Sequence, residues 1–128
     1  MTVFECAACG RSLSRDLELL AQLPAHHADV GPGEMPAATI PRGRYAIDPE
    51  PFTHAQVPGP AGDIVLHPED AVGLLEHPDG RRSDGCCGPE GLFGINRICL
   101  CGAEVGTLLA DCWTACELHL HPARVRAA

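Results

Sequence analysis

Apolar residues in this chain fall in short runs bounded by glycine, proline and polar residues, a pattern that predicts brief strands joined by turns. Thr2 to Glu5 reads as a strand entering Cys6. Arg11 to Leu23 leads away from that turn; Leu13, Leu17 and Leu20 have helical spacing with Ser14 as a cap, but a ribbon continues as a strand, and we expect strand next to the turn. Tyr45 to Ile47 and Asp63 to Leu66 are apolar runs between turn formers and read as two further strands. His67-Pro-Glu-Asp70 opens one or two helical turns through Leu75, because proline suits the first helical position and acids favour the positive end. Asn96 to Leu100 and Glu104 to Leu109 are strands flanking a second turn. Leu118 and Leu120 alternate with Glu117, His119 and His121, the period of a strand with one face in solvent.

Two stretches break this pattern. Residues 24 to 60 hold eight of the twelve prolines, with glycine at 31, 33, 43 and 59, and predict a long loop with little regular structure. Residues 81 to 94 form a polar, glycine-punctuated loop.

The turns at the two chain ends carry the chemistry. Cys6-Ala-Ala-Cys9-Gly10 and Cys99-Leu-Cys101-Gly102 are thiolate knuckles, in which glycine after the second cysteine tolerates the positive φ that lets backbone amides face sulfur. Together they supply four sulfur ligands, the set of a closed structural zinc site; rubredoxin-like iron uses the same ligands. Cys99-x-Cys101 is one residue shorter than the usual spacer, leaving Cys87 or Cys112 as alternatives to Cys99. Cys86, Cys87, Cys112 and Cys116 make up a second set of four. Adjacent cysteines tend to point apart, so Cys86 and Cys87 are expected to be plain thiols rather than ligands of a second ion. An even cysteine count also suits a secreted disulfide framework, but the knuckles and the Cys86-Cys87 pair favour metal. His119 and His121 are read as exposed polar alternation, with His26, His27, His54, His67 and His77 outside any site.

Composition narrows the function classes. With 128 residues but only three Phe, one Tyr and one Trp, the aromatic contribution to the core is thin, and a metal would reinforce it. All nine basic residues are arginine, which removes Schiff-base, pyridoxal and phosphate-loop lysine chemistry. The net charge of −8 disfavours nucleic acid as a partner, since that affinity comes from phosphate neutralisation. No charged-then-apolar leader and no bilayer-length apolar run occur, so a cytoplasmic protein without a membrane partner is expected.

The run Gly85-Cys-Cys-Gly-Pro-Glu-Gly91, Gly94-Ile-Asn96, Cys99-Leu-Cys-Gly-Ala-Glu-Val105, Thr107 and Asp111-Cys-Trp113 resembles a group of small uncharacterised bacterial proteins across the last third of the chain. The resemblance implies a zinc-ribbon-like bacterial protein and carries no substrate. The expected molecule is a single β-rich domain over residues 1–128, a zinc ribbon assembled from both chain ends with a proline-rich excursion at about 24–62. Zinc would be bound by Cys6, Cys9, Cys99 and Cys101. The expected role is a non-catalytic protein-interaction module. An enzyme using the Cys86/Cys87 loop with His119 and His121 is the alternative, and a nucleic-acid-binding ribbon, disfavoured by charge, the third.

Overall fold

Each apolar run becomes a strand of two to six residues in the computed structural model, which describes residues 1–25, 34–51 and 61–128, together with the backbone of 53–54 and 57–58. In chain order these are β1 (Phe4–Cys6), β2 (Glu18–Leu19), β3 (Arg44–Ile47), β4 (Thr53–His54), β5 (Val57–Pro58), β6 (Ile64–Leu66), β7 (Leu74–Glu76), β8 (Arg97–Cys99), β9 (Glu104–Leu109), β10 (Glu117–Leu120) and β11 (Val125–Ala127). A seven-stranded sheet has the order β2-β3-β6-β10-β9-β8-β7, antiparallel throughout except for β2 and β3. β4 and β5 form a small hairpin, and β1 pairs with β11, so the two ends of the chain lie side by side.

Two expectations change. The helical turns predicted through Leu75 shrink to a single 3₁₀ turn, Pro68–Asp70, capped by His67 Nδ1 accepting from the Glu69 amide; Leu74–Glu76 is then captured as an edge strand by β8. Ladder hydrogen bonds to β8 outweigh a local helical preference that short segments express weakly. Beyond Arg11 the chain follows the strand reading, through isolated bridges from Ser12 to Glu5, Ser14 to Ala71 and Leu17 to Thr2.

The larger correction concerns β10. Its four residues are all buried, because the strand sits mid-sheet with both faces covered. On one face Leu118 and Leu120 join Phe4, Leu13, Leu17, Ile64, Leu66, Val105 and Val125 in the main core, to which Cys6 and Cys99 also belong. Phe4 packs edge-on against Tyr45, with ring centroids 4.9 Å apart. On the other face Val65 packs with Ile40 and Ala46, flanked by Leu20 and Leu23. Ile40 comes from the proline-rich stretch, and the Thr39 amide donates to the Cys116 carbonyl at 3.1 Å. Val65, opposite His119 in the sheet, is thereby buried on the face that the alternation had placed in solvent.

Candidate metal centre

Each knuckle is closed by its own backbone. In the first, the Gly10 amide donates to the Cys6 carbonyl at 2.8 Å and the Cys6 amide to the Arg11 carbonyl at 2.8 Å; in the second, Gly102 donates to Cys99 and Cys99 to Ala103, both at 2.8 Å. The first turn therefore spans one residue more than the second, which is why a two-residue and a one-residue spacer both bring their cysteines back on themselves. Gly10 and Gly102 have φ of 79° and 94°, as the knuckle pattern requires. β11 docks on β1, and the Ala7 amide donates to Arg124 at 3.0 Å, fixing the first knuckle against the C-terminal strand.

The knuckles meet. Cys6 Sγ lies 3.8 Å from Cys101 Sγ, and Cys9 Sγ lies 3.6 Å from Cys99 Sγ. All four sulfurs fall within 4.8 Å of one another, so the four side chains could hold a metal ion. With metal–sulfur bonds of about 2.3 Å, the edges of a regular tetrahedron are about 3.8 Å, close to both distances. Cys99 belongs to this group, whereas the alternatives Cys87 and Cys112 lie in another. Cys6 and Cys99 are buried in the core; Cys9 and Cys101 are exposed. Burial, with the neighbouring thiols, pushes the Cys99 thiol up to about 12, and the Ala103 amide draws Cys101 down to about 7. A cation among the four would favour thiolate at every position.

A second group comprises Cys86, Cys87, Asp111 and Cys112, also within 4.8 Å. It differs from the expected second set in having Asp111 where Cys116 was read. Cys86 and Cys87 do not diverge: their sulfurs are 3.7 Å apart. The cause is Asp111, which is buried and accepts from the amides of Cys86 at 2.9 Å, Cys87 at 2.8 Å and Cys112 at 2.7 Å, folding the loop around its carboxylate. Burial opposes its charge, but these three amides outweigh that and hold Asp111 at about 2. The flanking glycines are needed for contact: a Cβ on Gly85 would stand 1.8 Å from the Gly88 carbonyl oxygen, and one on Gly88 2.4 Å from that of Ala110. The Gly85-Cys-Cys-Gly88 motif is thus a steric requirement of this loop. Cys112 is pushed to about 12 by its contact with Cys87 and by burial.

The histidines read as surface alternation are buried in a charged network. His119, 1% exposed, lies between Asp63 Oδ2 at 3.0 Å from Nδ1 and Glu117 Oε1 at 2.7 Å from Nε2. His121 lies 3.3 Å from Asp63 Oδ1 through Nδ1 and 3.0 Å from Thr107 Oγ1 through Nε2. Burial disfavours the imidazolium, but the two carboxylates prevail and raise His119 to about 9; Asp63 is held at about 2 by the two histidines against its own desolvation. Sequence reasoning missed Asp63, Glu117 and Asp111. A visible signal for Glu117 was its place two residues before His119 in a run of alternating polar residues and leucines; for Asp111 it was an acid directly preceding a cysteine; Asp63 carried none.

Beside this network a cavity of about 600 Å³ is lined by residues including Leu92, Trp113, Glu90, Glu117 and His119, and by no cysteine. The loop that carries Cys86 and Cys87 thus reaches this cavity through Glu90 and Leu92, but neither cysteine lines it with His119. His77 bonds Glu104 at 3.0 Å. His26 and His27, and the side chain of His54, lie outside the described residues. All eight cysteines are free thiols. Among the described residues no helix is long and apolar enough to cross a membrane. No protein-family model, curated protein or solved structure matches this chain.

Proposed function

We propose that this chain is a small zinc protein of the zinc-ribbon type, in which Cys6, Cys9, Cys99 and Cys101 hold a structural zinc and the molecule acts as a non-catalytic protein-interaction module. The observation that carries the reading is the spacing of the four sulfurs, two of whose distances, 3.8 and 3.6 Å, match the edge of a tetrathiolate tetrahedron. Four sulfurs fill a tetrahedral ion's coordination, leaving no position for a substrate or an activated water, which favours structure over catalysis. Zinc suits the role better than iron because it has no redox chemistry to expose to solvent through Cys9 and Cys101. Leu92 and Trp113, each more than 40% exposed and lining one cavity, give an apolar surface for a protein partner on an acidic molecule. The enzyme alternative is weaker, since both ring nitrogens of His119 are taken by carboxylates.

Elemental analysis of the purified chain tests the reading. Zinc should be present, and Cys9→Ser and Cys101→Ser should each abolish the site's zinc equivalent. A Cys9→Ser protein with its full zinc content would show that the ligand set is wrong.

A further inference from the structure

Free cysteine is among the most buried of residues, yet Cys86 and Cys87 are exposed and Cys112 is half-buried, gathered where the loop before β8 meets the connection from β9 to β10. The loop is built to hold them so. Asp111 ties three amides, and Gly85 and Gly88 permit backbone contacts that no larger residue would allow. The loop closes on itself and on the end of β9, through Glu90 donating to Asp84 at 3.0 Å and Ala110 to Pro89 at 2.9 Å.

The Asp111 carboxylate also lies beside the sulfurs. A carboxylate offers about four lone-pair positions. Oδ1 accepts from the amides of Cys87 and Cys112 and Oδ2 from that of Cys86, and the Cys112 thiol also bonds the carboxylate, where a metal ion would take the place of its proton. Three sulfurs and one carboxylate oxygen within 4.8 Å form a mixed donor set of the kind zinc accepts. A disulfide fits the Cys86–Cys87 pair poorly: neighbouring α-carbons are about 3.8 Å apart, shorter than disulfides ordinarily span.

We propose that Cys86, Cys87 and Cys112, with Asp111 as the oxygen donor, form a second zinc site, open to solvent, whose ion exchanges while the site at the chain ends keeps its own. Exchange follows from exposure. Incoming chelators reach Cys86 and Cys87 directly, whereas two ligands of the other group are buried in the core. Binding displaces the thiol protons to solvent. The site stands on separate residues from the tetrathiolate reading, so either can fail alone.

The test uses the full chain, purified reduced and loaded with Zn²⁺, then dialysed. The intact protein should hold two equivalents; Cys87→Ser and Cys112→Ser should each hold one and keep the parent melting transition, because these side chains lie outside the core. A chromophoric chelator should withdraw one equivalent from the intact protein ahead of the other, and that early phase should be missing in both variants. Loss of one equivalent in both Cys87→Ser and Cys112→Ser, with the parent melting transition kept, upholds this site whatever becomes of the first. One equivalent in the intact protein that survives in Cys87→Ser and Cys112→Ser overturns it. So does a mass two hydrogens short, traced to a disulfide among these three cysteines in protein kept under reductant.

Discussion

His119 is held inside the sheet between two carboxylates, and it sets how stability responds to pH. The charged form of His119 is favoured in the fold by Asp63 and Glu117, against desolvation, which raises it from the ordinary 6.5 to about 9. Its stabilising contribution is therefore complete below pH 6.5 and is lost as pH rises towards 9. The shift corresponds to an effect on the order of 3 kcal/mol. The low pKa of Asp63 reflects the same contacts from the other side: its contribution is present above pH 3.8 and is lost as pH falls towards about 2. Urea midpoints measured from pH 6 to pH 9.5 should fall, and the fall should be absent in His119→Leu; an equal slope in that variant would exclude the imidazolium as its source. His121→Ala removes the contacts to Asp63 and Thr107 and should cost about 1–3 kcal/mol, with metal content unchanged.

Strand contacts at glycine positions decide several of the elements. Gly106 pairs with Leu120 across β9 and β10, and a Cβ there would stand 2.5 Å from the His119 carbonyl oxygen. The register between β8 and β9 also shifts next to it, with Arg97 opposite Gly106 but Ile98 opposite Glu104. Gly106→Ala should force β9 away from the central strand and lower stability by about 1–3 kcal/mol, as overpacking does. Gly102→Ala meets no atom within 4 Å but must adopt a φ of 94°, and should cost about 1 kcal/mol or more through backbone strain alone. Thermal melts of the two variants, with zinc measured alongside, separate the effects: Gly106→Ala is expected to keep its metal. A melting temperature for Gly106→Ala equal to that of the parent would contradict the packing argument.

Across the whole molecule, the four cysteines at the chain ends tie positions 90 residues apart in sequence. If a metal cross-link acts as a disulfide does in the loop-closure model, it contributes roughly 4–5 kcal/mol. Domain stability is about 5–15 kcal/mol in total. β1–β11 pairing and the shared core hold the same ends together, so a metal there would add to an existing contact. Exhaustive chelation should still abolish the cooperative melt, read by circular dichroism, and added zinc should restore it. A metal-free protein with an unchanged melting transition would reduce the cluster to an accessory.

The sequence alone determined what depends on local covalent constraint. The knuckles were legible because cysteine and glycine at fixed spacing leave few ways to turn, and β3, β6, β8 and β9 because apolar runs between turn formers have few alternatives to an extended strand. Tertiary structure decided everything that depends on which surfaces meet. β10 looked half-exposed because alternation records polarity, while on the face of His119 its neighbours Val65 and Ala46 are packed against Ile40 from the proline-rich stretch. Likewise, Cys86 and Cys87 converge because Asp111, distant in sequence, accepts both their amides. Buried charges reverse the usual reading of polar residues whenever a partner arrives from another strand, and that partner is fixed only by the fold.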